Sequence, residues 1–279
     1  LTFLHNQMKE YDVLVIGSGP GGYTTAIRAS QLGLRAAIVE RDRLGGICLN
    51  WGCIPTKALL RNAELMNSLK HMDDFGISVE VKKFDFEKII SRSRGVADTS
   101  EKGVKFLMKK NKIDVYEGTA MINKDKSITV TDKEGKEVEK LKAKHTIIAT
   151  GARARSIGNI KFDEEKILSS TGAMTLKKIP SKMTIVGSGA IGVEFAYFYN
   201  AFGTEVTIIE MLPNILPIED KDISDVVTRE FKKAGIKLLT ETKTEGVEIK
   251  GGKVVTKVSG KSNEDIVSDV VLLAIGVQG

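Results

Sequence analysis

Short apolar runs alternate along the chain with longer segments in which apolar residues recur at helical spacing. The runs Val13–Ile16, Ala36–Val39, Met183–Val186 and Val206–Ile209 are each four residues long. Short continuous apolar runs are typical of parallel strands that are buried on both faces. Strands of this kind that alternate with helical segments predict an α/β fold built on parallel sheets.

Helical spacing covers Lys57–Lys70, Phe86–Lys110 and Ile223–Ala234. The segment Ile113–Lys140 contains short strand-like runs separated by turn residues, which predicts a β-meander. The pair Gly251-Gly252 predicts the turn of a hairpin. We therefore expect a three-layer α/β fold with β-meander insertions.

The pattern at the start of the chain returns in its second half. The run YDVLVIGSGPGG begins at Tyr11, and the run KMTIVGSGAIGVE begins at Lys182. Both contain the spacing G-x-G-x-x-G, and an acid follows the third glycine by 18 residues in both. All matched residues are 170 positions apart: Gly17 with Gly187, Gly19 with Gly189, Gly22 with Gly192, Gly33 with Gly203, and Glu40 with Glu210.

Each part of this motif has a physical reason. The first glycine permits a tight turn, the second lets the backbone approach a pyrophosphate, and the third lets the helix pack on the strand. The start of the helix offers N–H groups to the phosphates, and the acid binds a ribose diol. One such motif is weak evidence, whereas two with the same flanking strands predict two Rossmann-like domains that bind two dinucleotides.

The residues after each acid bear on which dinucleotide is bound. Glu210 is followed by Met211–Asn214, which contains no arginine that could receive a 2′-phosphate. This favours NAD over NADP at the second motif. Glu40 suits the adenosine ribose of either FAD or NAD at the first.

The only two cysteines, Cys48 and Cys53, follow the first motif. Pro55 fits only the first turn of a helix, so Cys53 lies at or near a helix N-terminus. Residues five apart in a regular helix are too far apart for easy bridging, so a disulfide needs a loop or a distorted turn, for which Gly52 gives the freedom. Two buried thiols or a zinc site are the alternatives, and a redox-active disulfide is the favoured interpretation.

Composition narrows the classes of protein. Hydrophobic residues make up 42% and charged residues 28%, as in ordinary globular proteins, and no apolar run reaches the ~18 residues of a membrane span. The net charge of +6 comes from scattered lysines and arginines, which argues against a nucleic-acid partner. The three histidines, His5, His71 and His145, have no zinc-ligand spacing to the cysteines, so we expect no metal.

The run GGICLNWGCIPTKALL, which begins at Gly45, resembles the redox-active motif of the pyridine nucleotide-disulfide oxidoreductases. Within that family it is most similar to the dihydrolipoamide dehydrogenases, the E3 components of 2-oxo acid dehydrogenase complexes. Mercuric and glutathione reductases share the cysteine spacing but differ around Cys53, and they generally prefer NADP. The resemblance runs from Tyr11 to Gly279, with one departure at Ile47, where the family more often has threonine.

The resemblance implies a set of site residues. The catalytic set is Cys48, Cys53, Lys57 and Glu194, with Lys57 beside the flavin and paired with Glu194. The implied FAD contacts are Gly17, Gly19, Gly22, Glu40, Gly46, Cys48, Lys57, Gly118, Thr150, Gly151 and Ala152. The implied NAD contacts are Gly187, Gly189, Gly192, Glu210, Thr244 and Gly276.

The resemblance also implies a reaction and partners. Dihydrolipoamide on a lipoyl carrier domain would attack the disulfide at Cys48, and Cys53 would pass electrons to FAD, which would reduce NAD. We expect the E2 core of a 2-oxo acid dehydrogenase complex as a partner, a homodimer in the full-length protein, and a bacterial cytoplasm rather than a mitochondrial matrix. A related disulfide reductase and a non-catalytic nucleotide-binding fragment are the alternatives.

The predicted domains are an FAD-binding domain over residues 9–151 and an NAD-binding domain with a connector over residues 152–279. In the family the chain continues, completes the FAD domain and adds an interface domain with a His–Glu pair that serves the partner subunit. We therefore expect this chain to be an N-terminal portion of such an enzyme that does not turn over lipoamide alone.

Overall fold

The computed structural model describes residues 8–158 and 160–279, which form two compact units. The first unit comprises the chain up to Ile54, Gly95–Gly151 and Gly279, and the second comprises Pro55–Arg94 and Ala152–Gln278. The predicted boundary after Gly151 coincides with a boundary between the units. By its contacts the segment Pro55–Arg94, which we assigned to the first domain, groups with the second unit, and the predicted domain bounds stay a prediction.

The first unit is built on a six-stranded mixed sheet. Its strands are β1 (Lys9–Ile16), β2 (Ala36–Glu40), β3 (Asp114–Glu117), β4 (Thr119–Ile122), β5 (Ile128–Thr131) and β6 (Glu137–Ile148), in the order β3-β2-β1-β6-β5-β4. Strands β3, β2, β1 and β6 run parallel, whereas β4 and β5 run antiparallel to their neighbours. The apolar residues of β1 and β2, such as Val15 and Ile38, are fully buried, as continuous apolar runs predict.

The segment predicted as a meander is divided between two roles. Strand β3 pairs in parallel with β2, so it belongs to the Rossmann part of the sheet and not to the meander. The meander proper is β4, β5 and the first half of β6, and the second half of β6 pairs in parallel with β1. One long strand therefore connects the meander to the centre of the sheet.

The second unit contains a five-stranded parallel sheet. Its strands are β8 (Ile167–Leu168), β9 (Lys182–Val186), β10 (Glu205–Ile209), β11 (Lys237–Leu239) and β15 (Val270–Leu273), in the order β11-β10-β9-β15-β8. The predicted connector thus supplies an edge strand, β8. An antiparallel meander of β12 (Thr242–Lys250), β13 (Lys253–Gly260) and β14 (Ile266–Ser268) includes the predicted glycine hairpin. Strands β7 (Arg153–Ala154) and β16 (Val277–Gln278) form a separate pair.

The helices agree closely with the sequence pattern. They are α1 (Pro20–Gln31), α2 (Gly46–Trp51), α3 (Cys53–Lys70), α4 (Phe86–Lys110), α5 (Ser170–Ala173), α6 (Ala190–Ala201) and α7 (Lys221–Lys233), with a 3₁₀ turn at Met72–Phe75. The helices predicted after the two glycine turns are α1 and α6, and those predicted from helical spacing are α3, α4 and α7. The short helices α2 and α5 were not predicted. Within the described ranges, none of the helices is both long and apolar enough to cross a membrane.

Aromatic packing explains why Pro55–Arg94 groups with the second unit. Phe198 and Tyr199 of α6 are almost completely buried, and their ring centroids lie 4.9 Å apart. Phe86 at the start of α4 packs on Phe198 with a centroid separation of 6.1 Å. Leu59 and Ala63 of α3 complete the same apolar cluster. The apolar faces of α3 and of the first part of α4 therefore bury their side chains against α6, a tertiary contact that local patterning does not reveal.

The chain thus has the predicted α/β fold, with Rossmann-like parallel strands in each unit and a β-meander associated with each. In both units the glycine turn connects the first strand of the motif to the helix that follows it.

Candidate functional site

The third glycine of each motif lies where the helix crosses the turn. A Cβ at Gly22 would collide with the carbonyl oxygen of Gly17, and a Cβ at Gly192 would collide with that of Gly187. Any side chain at these positions would force the helix away from the strand. The close helix–strand packing expected of the motif is present in both copies.

The first glycine of each motif contacts a second turn of the same unit. Gly17 lies against the carbonyl of Ala149, and Gly187 lies against the carbonyl of Ala274. The chain continues from these alanines to Gly151 and Gly276, both of which have positive φ angles. The two turns that the resemblance assigned to cofactors therefore occupy equivalent places beside the two glycine motifs.

The second glycine of each motif faces open space. A Cβ at Gly19 or Gly189 would meet no protein atom within 4 Å, although both residues are the N-caps of 12-residue helices. A helix start that has space in front of it and no capping side chain suits a phosphate group. The residues present therefore fit a pyrophosphate at each motif.

The acid of the first motif is held by its neighbours. Glu40 Oε2 accepts hydrogen bonds from the Ser18 backbone N at 2.8 Å and from Ser18 Oγ at 2.7 Å. Glu40 Oε1 accepts a hydrogen bond from the Asp42 backbone N at 2.9 Å. The carboxylate is thus fixed at the end of β2, where a ribose would reach it.

The acid of the second motif has the same arrangement. Glu210 Oε2 accepts hydrogen bonds from the Ser188 N at 3.0 Å and Oγ at 2.7 Å, and Oε1 accepts one from Leu212 N at 2.9 Å. Glu210 is 7% exposed and Ser188 is completely buried. Sequence reasoning missed Ser188 and its counterpart Ser18, although serine between the first two glycines of both copies was the available signal.

A large cavity of about 710 Å³ in the second unit lies at the second motif. Gly187, Gly189, Glu210, Thr244 and Gly276 are among its lining residues, so the structure brings together five of the six predicted NAD contacts. The sixth, Gly192, packs the helix on the turn, and its NAD contact stays a prediction.

Much of the cavity wall is apolar, which suits a flat aromatic base. The apolar part of the lining comprises Ile157, Val186, Ala190, Ile191, Ile209, Met211, Leu212, Pro217, Ile218, Ala274, Ile275 and Val277. The Thr244 hydroxyl is buried and has no hydrogen-bond partner within the described ranges. A buried orphan hydroxyl in a cavity wall is expected to bond a ligand, because leaving it unpaired is costly.

Two cations also line this cavity. Arg155 follows β7, and Lys243 lies in β12. The Lys243 Nζ is 3.0 Å from Glu245 Oε2, so its charge is already paired. Sequence reasoning missed both cations because they are distant from Glu210 along the chain.

Two further predicted residues lie beside the first motif. Gly46 packs on Gly19, where a Cβ would come within 2.6 Å of the Gly19 Cα, and the Gly118 N donates to the Glu40 carbonyl at 2.8 Å. Of the predicted turn Thr150–Ala152, Thr150 is exposed and Gly151 closes the first unit, whereas Ala152 begins the segment that belongs to the second.

The two cysteines are positioned by two consecutive helices. Cys48 is half-buried in α2, and Cys53 is the exposed first residue of α3, as the position of Pro55 predicted. Gly52 separates the helices, and a Cβ there would come within 3.1 Å of the Ile47 carbonyl oxygen. The expected distortion between the cysteines is therefore present, and the disulfide itself stays a prediction.

Lys57 and Glu194 form an ion pair within the second unit. Lys57 lies one turn after Cys53 in α3, and Glu194 lies in α6. The Lys57 side chain is 62% exposed and that of Glu194 is 25% exposed. The contact expected from the resemblance is present, while the role of Lys57 beside a flavin stays a prediction.

Possible metal ligands do not cluster in the part of the chain that the structure describes. Across residues 8–158 and 160–279, no group of three His, Cys, Asp or Glu side chains could hold a metal ion. His71 is exposed beside Asp74, and His145 lies in β6. His5 lies outside the described residues.

Comparison with known protein families gives a match over almost the whole chain. Residues 11–279 match the family described as pyridine nucleotide-disulphide oxidoreductase. The dihydrolipoyl dehydrogenase of Rhizobium etli is 44% identical over 97% of this chain and 60% of its own length. That of Acholeplasma laidlawii is 42% identical over 97% of this chain and 79% of its own length. The chain thus spans about 60% of the Rhizobium etli relative.

Solved structures agree with the fold. The Cu(II) complex of the HOCl-induced flavoprotein disulfide reductase RclA from Escherichia coli superposes with a TM-score of 0.81 at 29% identity, over 97% of this chain and 57% of that one. LpdA from Mycobacterium tuberculosis has a TM-score of 0.86 at 22% identity, over 97% and 59%, and supports the fold alone. Together with the paired glycine motifs and the cysteine pair, these matches show that the chain belongs to the pyridine nucleotide-disulphide oxidoreductase family.

Proposed function

We propose that this chain carries the cofactor-binding part of an NAD-dependent dihydrolipoamide dehydrogenase, with FAD at the first glycine motif and NAD at the second. The observation that carries the proposal is the cysteine pair, because Gly46, two residues before Cys48, packs directly on Gly19 of the first motif. Curated relatives of this family are dihydrolipoyl dehydrogenases and use FAD and NAD.

The proposed FAD contacts are those whose positions surround the first motif. Glu40 would bind the adenosine ribose, the start of α1 would bind the pyrophosphate, and Gly118 would lie near the adenine. The NAD contacts follow in the same way from the cavity of the second unit. There Glu210 would bind the ribose and the Thr244 hydroxyl would bond the adenine edge.

The proposed chemistry of the cysteines is thiol–disulfide exchange. One thiolate of dihydrolipoamide attacks Cys48 Sγ, forms a mixed disulfide and displaces Cys53 as a thiolate. The second thiol of dihydrolipoamide then attacks the substrate sulfur that is bonded to Cys48. The bond between that sulfur and Cys48 breaks, which releases oxidised lipoamide and leaves Cys48 reduced. Two electrons and two protons leave the substrate in this exchange.

Bound FAD and NAD would supply the hydride chemistry that carries these two electrons onward. The protein holds Cys53 at the start of α3, the helix that also carries Lys57. Lys57 would add a positive charge one turn further along, and Glu194 would hold the lysine side chain in place.

We infer the partners and location from the same relatives. The substrate thiols would be presented on a lipoyl carrier domain at the E2 core of a 2-oxo acid dehydrogenase complex, and the whole enzyme would be a homodimer. A bacterial cytoplasm would be its compartment. These inferences are supported by the dihydrolipoyl dehydrogenase relatives, several of which are bacterial.

The cations in the cavity favour one second candidate. Arg155 and Lys243 could receive a 2′-phosphate, so an NADP-linked disulfide reductase of the glutathione type is the alternative. The pairing of Lys243 with Glu245 and the carboxylate of Glu210 argue for NAD.

The substrate half-reaction tests the proposal without requiring complete turnover. The oxidised chain is mixed anaerobically with dihydrolipoamide, and new protein thiols and the flavin absorbance are measured together. Two equivalents of dihydrolipoamide supply four electrons, two for the disulfide and two for the flavin. With two equivalents we therefore expect two new thiols and flavin bleaching in the wild type, and neither in Cys48→Ser or Cys53→Ser. Ser68→Ala, which removes an exposed hydroxyl from the same α3 helix, is the matched control. Reduction of the flavin in Cys48→Ser at the wild-type rate would contradict the proposed exchange.

A further inference from the structure

The carboxylate of Glu210 is held in place by its neighbours. Three donors reach it, and two of them come from Ser188. Because Oε2 binds both the backbone N and the hydroxyl of one residue while Oε1 binds Leu212 N, the carboxylate plane is fixed. Oε2 uses both of its lone-pair sites in these bonds, and Oε1 keeps one for a ribose hydroxyl.

The same arrangement of serine and glutamate recurs at the first motif. Ser18 and Glu40 make the same two hydrogen bonds, at 2.8 and 2.7 Å, and Asp42 N takes the place of Leu212 N. The serine hydroxyl is the only side-chain donor to the acid in either copy among the contacts that the structure describes. Its recurrence over 170 residues ties it to the acid and not to local packing.

We propose that Ser188 is a positioning residue that makes Glu210 discriminate against the 2′-phosphate of NADP. The inference rests on the proposed NAD site. The reason is geometric: a carboxylate that cannot turn away must face whatever group occupies the ribose 2′ position. A 2′-hydroxyl donates to it, whereas a 2′-phosphate brings a second negative charge into contact with it.

Two cations line the same cavity, so selection of NAD over NADP needs a group that opposes a phosphate. Arg155 and Lys243 both line the cavity, and either could attract a phosphate. Lys243 is held by Glu245, whose other oxygen accepts a hydrogen bond from Ser259 Oγ at 2.5 Å. Within the described part of the chain, no ion pair of this kind neutralises the positive charge of the exposed Arg155. The fixed carboxylate of Glu210 is therefore the element that opposes NADP.

The test compares the affinities of oxidised NAD and NADP for the 279-residue chain by titration calorimetry. Loss of one hydrogen bond to a charged group corresponds to about a tenfold change in affinity. We expect Ser188→Ala to bind NAD about tenfold more weakly and NADP with little change. The ratio of the two affinities then falls about tenfold.

A matched variant separates positioning from stability. Ser268 is also buried in the second unit, and its Oγ donates to the Val270 carbonyl at 2.9 Å. Ser268 does not line the large cavity, so Ser268→Ala should lower the melting temperature without changing the affinity ratio. An unchanged ratio in Ser188→Ala would overturn the inference, whatever happens to its melting temperature.

A cysteine variant and the wild-type affinities give two further tests of the role of Ser188. If Ser188→Ala does not fold, Ser188→Cys replaces the hydroxyl with a weak donor of similar size, and it should give an intermediate ratio. A wild-type ratio in the folded cysteine variant would overturn the inference. If the wild type itself binds neither NAD nor NADP, the proposed function fails and the inference fails with it. A wild type that prefers NAD, with an unchanged serine variant, overturns the inference alone.

Discussion

Lys57 of α3 donates to the carboxylate of Glu194 in α6, across 137 positions of the chain. The pair links α3, which begins at Cys53, to α6, the helix that follows the turn of the second glycine motif. The two helices also share the apolar cluster around Phe198, so the ion pair lies above a packed interface within the second unit.

The exposed Lys57–Glu194 pair should contribute little to folding. Its side chains are 62% and 25% exposed, so we expect Lys57→Met to change the free energy of unfolding by less than about 1 kcal/mol. The flavin absorbance of the reduced protein should nevertheless shift, because the proposed role of the lysine is to place positive charge beside the cofactor. Urea unfolding and an absorbance spectrum measure the two effects.

The control for this variant is Lys182→Met, which removes another exposed ion pair, Lys182 with Glu205 at 2.9 Å. It should leave the flavin spectrum unchanged. If both lysine variants alter the spectrum equally, the special position of Lys57 is refuted.

The second and third glycines of the NAD motif should respond differently to alanine. Gly192→Ala places a Cβ against the Gly187 carbonyl, so we expect unfolding of the second unit or a loss of about 3 kcal/mol or more. Gly189→Ala meets no protein atom within 4 Å and has an ordinary φ of −68°, so the fold should persist. Its Cβ would instead occupy the space of the pyrophosphate, and NAD affinity should fall at least about tenfold.

Circular dichroism melting and NAD titration separate these outcomes. Tight NAD binding by Gly189→Ala would show that the phosphate lies elsewhere.

The orphan hydroxyl of Thr244 predicts opposite effects on stability and binding. Replacing a buried, unpaired hydroxyl by a methyl group removes a desolvation cost, so Thr244→Val should stabilise the protein by about 1 kcal/mol. The same change should weaken NAD binding, because Thr244 lines the cavity. Thr256 also has a buried orphan hydroxyl within the described ranges but does not line the cavity. Thr256→Val should therefore give the stability gain alone, and equal NAD affinities for the two variants would argue against an adenine contact.

Asp269 predicts a defined pH dependence. The Lys253 ammonium, and to a smaller degree the Lys182 backbone N at 2.9 Å, hold the pKa of Asp269 below its ordinary value of 3.8, against the opposing effect of burial. A lowered folded-state pKa stabilises the protein above the unfolded value, and this contribution is lost as the pH falls through the lowered value. Asp269→Asn should thus be about 1 kcal/mol less stable than wild type at pH 7. The difference should shrink as the pH falls below 3.8 and through the lowered pKa of the folded state.

Urea unfolding at several pH values checks this expectation. Asp225→Asn, which breaks an exposed ion pair with Lys221 in α7, should show little difference from wild type at pH 7. A difference for Asp269→Asn that grows as the pH falls would contradict the assignment.

Local sequence patterns were enough to predict the parallel strands, the glycine turns and the acids Glu40 and Glu210, because each depends on residues near one another in the chain. The position of Cys53 followed from Pro55 alone. The placement of Pro55–Arg94 against α6 was not predictable, because the apolar faces of α3 and α4 do not reveal which surface they cover. Strand β8 was missed because two residues carry no readable periodicity.

Within the candidate site too, features set by residues close in sequence were predictable and those set by tertiary structure were not. Arg155 and Lys243 reach the cavity through tertiary structure, so motif reading at Glu210 did not include them. Ser18 and Ser188 occupy a variable position of the glycine motif, and only their hydrogen bonds to the acids reveal a role.

We propose that the two repeats hold two different dinucleotides, with the cysteine pair beside the first. An anaerobic absorbance spectrum of the purified chain can show both, if it is recorded before and after two-electron reduction by dithionite and again after addition of NAD. We expect a flavin band, a long-wavelength charge-transfer shoulder on reduction that is absent in Cys53→Ser, and its loss when NAD is added. A reduced flavin spectrum without the shoulder, and identical in Cys53→Ser, would contradict the claim.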